Sequence, residues 1–182
     1  MNTGQTILSL GAVLLWSVTV LLTNRSSLQH GTIINQTQVD IYAVSLAQAK
    51  IEEASGKAFD QFSASDTAGN GNVITSLSQL TDPNALGKET GENYPDFNDF
   101  DDYNYFSGNN PLKVYVPGVD TFRVQTTVCY VDTTAPDVKV STRTWHKKMV
   151  VKVWPTISPW ASDTQKPDTV IMTYIYSYWW FR

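Results

Sequence analysis

An uncharged N-terminus most limits what this chain can fold into. The first 24 of its 182 residues carry no charged side chain, and an apolar stretch runs from Ile7 to Leu22. No proline occurs before Pro83, so none interrupts a helix over the first 82 residues. At about 1.5 Å per residue, a helix over the apolar stretch extends about 24 Å, and uncharged flanks lengthen it towards the roughly 30 Å of a bilayer interior. We therefore predict a membrane helix whose apolar part covers residues 1–24.

Two alternative interpretations of this helix are a secretory signal peptide and a buried core helix. A signal peptide requires basic residues before its apolar stretch, and this chain has no Lys or Arg there. A buried core helix would have charged residues on both sides, and here they lie on one side only. Twelve residues of the helix are the candidates for contact with lipid or with other copies of the chain, and we call them the assembly surface. They are Gln5, Ile7, Leu8, Leu10, Val13, Leu14, Leu15, Trp16, Val18, Val20, Leu21 and Leu22.

A helical pattern continues beyond the apolar stretch. Residues 33–62 are amphipathic, and we predict one helical region over 1–62, with a break at Asn24 or Gly31, where helix propensity is low. A helix of that length is about 90 Å long, too long for a domain of about 120 residues to cover, so lipid or other copies must cover its first half. The apolar stripe of its second half consists of Val44, Ala47, Ile51, Ala54, Ala58 and Phe62.

Charge divides the chain into three zones. The formal net charge is −4, of which residues 1–62 contribute −1, residues 63–110 contribute −7 and residues 111–182 contribute +4. This balance argues against a nucleic-acid-binding protein. A hydrophobic content of 42% with 16% charged residues indicates a folded core rather than disorder. The opposite charges of the second and third zones predict complementary contacts between neighbouring copies.

The acidic zone, 63–110, reads as a long loop in which carboxylates alternate with aromatic residues. Clustered oxygen ligands on a loop can bind a hard cation such as Ca²⁺, although the spacing here is not that of an EF-hand. The alternative, which we favour, is a solvated acidic loop with its aromatic rings turned inward. The candidate ligands are Asp96, Asp99, Asp101 and Asp102.

Alternating side chains over 111–182 predict an antiparallel sheet of about four strands, including one long strand from Val138 to Val153. The fold class is therefore α+β, with a long N-terminal helix packed on a C-terminal sheet. The last strand, 169–180, has no polar face, so we expect both faces to be covered. One cover is the stripe of the long helix, and the other is either the aromatic residues of the acidic zone or a neighbouring molecule. The aromatic residues of the last strand are assigned either to the core or to contacts between subunits. They are Tyr174, Tyr176, Tyr178 and Trp180.

This order of elements resembles the type IV pilins over the whole chain. Members of that family usually carry Glu at the fifth position of the mature helix and often Pro near position 22. If Met1 begins the mature helix, this chain has Gln5 and Leu22 at these positions, whereas Ser9 takes the fifth position if Gly4 ends a leader. The resemblance implies a structural subunit of an extracellular pilus-like filament, a helical homopolymer formed through the N-terminal helix. It also implies a membrane pool before assembly, a prepilin peptidase and pilus assembly machinery as partners, and no cofactor.

Two alternatives to the filament subunit stay open. One is a minor pseudopilin of a secretion or DNA-uptake system, and the other is a bitopic membrane protein with an extracytoplasmic β domain that binds a partner. An enzyme is not expected, because His30 and His146 lie in no recognised catalytic motif and the sequence has no nucleophile elbow, phosphate loop or paired-cysteine metal site. Cys129 is the only cysteine, so no disulfide within the chain can form.

Overall fold

The computed structural model describes residues 3–64, 71–156 and 168–178, with the backbone alone over 28–35. Its architecture is α+β, as predicted: a long N-terminal helix, a segment with short 3-10 helices, and an antiparallel sheet. The chain divides into two compact units, Met1–Asp40 and Ile41–Arg182. We call the second unit the head.

Helix α1 spans Thr3–Ser55. It continues through Asn24 and Gly31, so the break predicted at these residues is not present. The helix ends seven residues before the predicted position, 62, because Gly56 follows Ser55 and the backbone then takes other partners. The Ala58 amide bonds to the Asn98 carbonyl at 3.3 Å, and the Ala58 carbonyl accepts the Phe100 amide at 2.9 Å.

Five antiparallel strands form the sheet. They are β1 (Leu112–Val116), β2 (Asp120–Asp132), β3 (Ala135–Lys139), β4 (His146–Pro155) and β5 (Val170–Ser177). Their order is β1-β2-β4-β5, and β3 pairs with the end of β2. In the register of the central pair, Thr126 lies opposite Val151, and Val151 lies opposite Met172 on β5. β2 and β4 are therefore the central strands.

The prediction of one long strand from Val138 to Val153 is wrong, because the chain turns between β3 and β4. The Thr144 hydroxyl stabilises this turn, contacting the Val131 carbonyl at 2.7 Å and the His146 carbonyl at 2.9 Å. The sequence did not reveal the turn because no glycine or proline marks it.

One face of the head part of α1 is buried, and it agrees with the predicted stripe at Ala47 and Ala54 but not at Val44. Ala43, Ala47, Lys50 and Ala54 are buried, whereas Val44 is exposed. The stripe was predicted from apolar residues alone, so it left out Lys50, which lies on the buried face. The Lys50 ammonium lies against Glu53 Oε2 at 2.6 Å and the Tyr94 hydroxyl at 2.9 Å, which permits its burial.

The core of the head is largely aromatic. Four rings of the acidic zone are buried, at a spacing of three residues: Phe97, Phe100, Tyr103 and Phe106. The last two belong to a 3-10 helix over Asp101–Phe106, in which side chains three apart share a face. The Tyr103 carbonyl accepts the Thr126 hydroxyl, joining this helix to β2. The expectation that these rings turn inward is therefore confirmed.

We predict that the alanine face of α1 cannot accept a larger side chain. Ala47 is fully buried, so Ala47→Leu should overpack the interface and lower the free energy of unfolding by about 1–3 kcal/mol. Urea unfolding of the full chain in detergent micelles, followed by near-ultraviolet circular dichroism, measures the change. Ala49→Leu is the matched control, because Ala49 is exposed on the same helix and the substitution should have little effect. Equal effects of the two substitutions would contradict this packing.

Candidate functional site

The apolar N-terminal part of α1 is exposed along its whole length. The part of α1 over Thr3–Ser27 has a length and composition that suit a membrane crossing, and every residue of this part is exposed. Leu8 and Trp16 keep 77% and 74% of their surface, values typical of uncovered side chains. All twelve residues predicted to form the assembly surface, Gln5 included, lie within this helix.

The hydroxyl groups within the apolar stretch, Ile7 to Leu22, are bonded to the helix itself. Ser17 donates to the Val13 carbonyl at 2.8 Å, and Thr19 donates to the Leu15 carbonyl at 2.8 Å. Thr23 bonds to the carbonyl of Thr19 at 3.0 Å. These groups therefore need no water, so they do not oppose burial in lipid or against another apolar helix.

The tyrosines of the last strand pack within the head. The Tyr176 ring lies edge-on to Phe59 and Phe100, with centroids 5.4 and 5.1 Å away. The Tyr178 hydroxyl accepts the Ile74 amide at 2.9 Å, and its ring stacks on Trp145. Trp180 lies outside the described residues.

The opposite face of β5 is not covered by the described residues, since Ile171 and Ile175 are 59% and 41% exposed. The aromatic residues of the acidic zone therefore do not cover it, and its cover by a neighbouring molecule stays a prediction. The sequence did not decide between these covers, because an apolar strand face looks the same whether its own chain or another molecule covers it. If subunits meet at β5, the exposed side chains are these isoleucines rather than the tyrosines.

A buried lysine joins three parts of the head. The Lys147 ammonium on β4 donates to Asp60 Oδ2 at 2.7 Å and to Asp101 Oδ1 at 2.5 Å. Its third proton goes to the Phe59 carbonyl at 2.8 Å. Lys147, Asp60 and Asp101 are all buried, and we call them the ion cluster.

Asp60 has further partners around the ion cluster. Its carboxylate accepts the Thr81 amide at 3.0 Å, the Thr81 hydroxyl at 3.1 Å and the Tyr130 hydroxyl at 3.4 Å. Sequence reasoning missed this arrangement, because Asp60 and Lys147 are 87 residues apart.

The four carboxylates predicted as metal ligands separate in the structure. Asp96 is exposed, while Asp101 belongs to the ion cluster. Asp99 and Asp102 are fully buried, so the expectation of a solvated acidic loop is wrong for them and for Asp101. Asp99 and Asp102 instead meet Glu89, and one oxygen atom of each lies within 4.8 Å of the other two. We call these three residues the acidic cluster.

Glu89 was missed because it lies ten residues before Asp99 and outside the alternating pattern. The sequence did contain a signal for the other two members. Asp99 and Asp102 are three residues apart, which is also the spacing of the buried rings beside them.

Burial and mutual repulsion raise the pKa values of the acidic cluster. Burial, then the charges of Asp101 and Asp102, raises the pKa of Asp99 to about 9. Burial, then the neighbouring Glu92 and Asp102, raises the pKa of Glu89 to about 8. Burial also raises the pKa of Asp102 to about 6, opposed by hydrogen bonds from the Asp99 and Asn98 amides. Glu89, Asp99 and Asp102 therefore keep their protons to higher pH than ordinary carboxyl groups, mainly because burial removes the water that stabilises the charged form.

Burial of these side chains changes the charge that the head presents. Asp99, Asp101 and Asp102 are buried, so the acidic zone offers solvent less negative charge than its net of −7 implies. Lys147 and Lys148 of the basic zone are buried as well. The predicted electrostatic contact between copies stays a prediction, but it must use the charges that remain exposed, including Asp96 and Lys152.

Comparison with known proteins returns no match to a family model, to a curated protein or to a solved structure. The apolar helix followed by an antiparallel sheet is compatible with a pilin-like fold.

We predict that removing the ammonium of the ion cluster destabilises the head. Lys147→Met leaves the Asp60 and Asp101 carboxylates buried without their cation, which should lower the free energy of unfolding by about 3–5 kcal/mol. Urea unfolding of the full chain in detergent micelles measures the loss. Lys152→Met is the matched control, because Lys152 is exposed on the same strand. A loss no larger than that of the control would contradict the role assigned to Lys147.

Proposed function

We propose that this protein is a structural subunit of a pilus-like filament and that it polymerises through the apolar part of α1. The observation that carries the proposal is a surface of 25 helical residues, Thr3–Ser27, that the chain itself leaves exposed. A surface of this kind requires lipid or protein to cover it. At about 1.5 Å per residue this helix is about 37 Å long, which is enough to cross a bilayer of about 30 Å.

In this proposal the helix has two successive environments. It lies in the membrane before assembly, and it then packs beside the same helix of other copies in a filament core. Lipid is as apolar as leucine, so the exchange is driven by close packing rather than by removal from water. The self-bonded hydroxyls of Ser17 and Thr19 fit both environments. Contacts between different surfaces of successive copies generate an open helical polymer rather than a closed ring.

The remaining parts of the proposal rest on the resemblance to type IV pilins. They are placement of the filament at the cell surface, processing by a prepilin peptidase and delivery by pilus assembly machinery. The proposed role is structural rather than enzymatic, and it requires the head only as a folded unit carried on the helix.

We predict that the apolar helices of neighbouring subunits lie within cross-linking distance in the filament. Ser17→Cys places a thiol in the middle of the exposed apolar stretch. Electron microscopy should show filaments in material sheared from cells, and a membrane-permeable bis-maleimide should convert this variant into a ladder of covalent multimers. Monomers in detergent should give no ladder.

The native chain is the control for this experiment. Its single cysteine, Cys129, is buried, and burial raises the pKa of its thiol, so it should react poorly with maleimide. If no filaments are seen and the Ser17→Cys variant stays monomeric in membranes, the proposal fails and a bitopic membrane protein explains the helix instead.

A further inference from the structure

Four side chains around the acidic cluster each have one oxygen atom without a hydrogen-bond partner among the described residues. All four atoms are shielded from solvent, although Glu89 and Asn98 are only partly buried as whole residues. Buried oxygen atoms without partners are costly, because they have lost their water and gained nothing in return. The atoms are Glu89 Oε2, Asn98 Oδ1, Asp99 Oδ2 and Asp102 Oδ1.

The second oxygen atom of each aspartate is held by the backbone. Asp99 Oδ1 accepts the amides of Asp101 at 2.9 Å and of Asp102 at 3.1 Å. Asp102 Oδ2 accepts the amides of Asn98 at 3.0 Å and of Asp99 at 3.1 Å. Neither carboxylate can therefore turn towards solvent without breaking two hydrogen bonds. Both free oxygens are held inside the protein.

The orientation of the Asn98 amide is also set. Its nitrogen donates to Glu92 Oε1, so its carbonyl oxygen is the atom left free. Glu92 Oε2 in turn accepts the Glu89 amide at 3.2 Å. These hydrogen bonds occupy the Asn98 amide nitrogen and the Glu89 backbone amide, so neither donor satisfies the four unpartnered oxygen atoms.

The lysines near the acidic cluster bond to other groups. The Lys147 ammonium is fully used by the ion cluster. The Lys88 ammonium bonds to the Glu92 carbonyl at 2.8 Å and to Asn93 Oδ1 at 3.3 Å. Within the described ranges, no salt bridge includes Glu89, Asp99 or Asp102. In this part of the described structure no cationic side chain is therefore in direct contact with the three carboxyl groups, and the charge of Lys147 acts on Asp99 only from a distance.

We propose that Glu89, Asn98, Asp99 and Asp102 bind a divalent cation, Ca²⁺, through these four oxygen atoms. Ca²⁺ takes six to eight oxygen ligands, including carboxylates, amide carbonyls and water, in a flexible arrangement. Mg²⁺ keeps most of its water and Zn²⁺ prefers nitrogen or sulfur ligands, so a set of three carboxylates and one amide oxygen fits Ca²⁺ better than either. Water completes the coordination.

Binding at this position stabilises the part of the head that connects α1 to the sheet. Tyr103, next to Asp102, donates its hydroxyl to Glu53 Oε1 on α1 at 2.9 Å. Asn104 Oδ1 accepts the Val128 amide on β2 at 3.0 Å. A cation that neutralises the acidic cluster removes the repulsion beneath these contacts. The site does not depend on the proposed filament, since all its residues belong to the head.

The first test is binding to the full chain in detergent after chelator treatment. Calorimetric titration with CaCl₂ should show one site, with MgCl₂ binding at least about tenfold more weakly. Saturating Ca²⁺ should raise the melting temperature by about 5 °C or more. Asp99→Asn and Glu89→Gln should each weaken binding at least about tenfold, because each removes one ligand charge. Asp96→Asn, at an exposed carboxylate of the same zone, is the matched control and should bind normally.

A second measurement reports on the segment itself. Lys88 is the only Lys or Arg between Lys57 and Lys113, so trypsin has a single target beside the acidic cluster. Ca²⁺ should slow cleavage after Lys88 at least about fivefold in the native chain and in Asp96→Asn, because a bound ligand suppresses the opening that exposes the bond. It should give no protection in Glu89→Gln.

Four outcomes would overturn the proposal. They are no binding of millimolar Ca²⁺ by the native chain, equal binding by the Glu89→Gln and Asp96→Asn variants, a melting temperature that saturating Ca²⁺ does not change, and cleavage after Lys88 that is indifferent to Ca²⁺. If Asp99→Asn does not fold, Glu89→Gln decides the matter, because Glu89 is only partly buried.

Discussion

A lysine ammonium enclosed by two carboxylates connects the parts of the head. Lys147 on β4 binds Asp60, which follows α1, and Asp101, which lies in the acidic zone. Asp60 carries the connection further to Thr81 and Tyr130. Three stretches that are distant in sequence thus meet at one charge, and none of them can move away without leaving a charge buried and unpaired. The apolar core forms around this polar centre.

The part of the acidic zone from Phe97 to Phe106 therefore belongs largely to the core, whereas Asp96 is exposed to solvent. Its rings, at a spacing of three residues, pack between α1 and the sheet, and the carboxylates between them are carried inside by the same turns. Asp101 finds Lys147 there, whereas Asp99 and Asp102 find only backbone amides and each other. One local repeat thus accounts both for a well-packed aromatic core and for a concentration of buried negative charge.

Local sequence patterns predicted well which segments are helical or extended. They predicted poorly which distant residues those segments contact. The apolar N-terminus and the lack of proline predicted α1, and the alternation through Phe122, Val124 and Thr126 predicted β2, because these features depend on neighbouring residues. The end of α1 was misplaced, since Ala58 leaves the helix to pair with residues about 40 positions away. Lys50 was left out of the buried face of α1 for the same reason, because Tyr94 completes its environment.

The same distinction between local and long-range features applies to the candidate sites. The sequence by itself determined that the first 25 or so residues form an apolar helix that needs an apolar environment, because helix formation and hydrophobicity are local properties. It also identified Asp99 and Asp102 as oxygen donors, but not Glu89. Only the tertiary structure decided which carboxylates are paired with Lys147, which are left facing one another, and which face of β5 is open. Those outcomes depend on burial and on distances between residues far apart in the chain, and neither is set before the chain has folded.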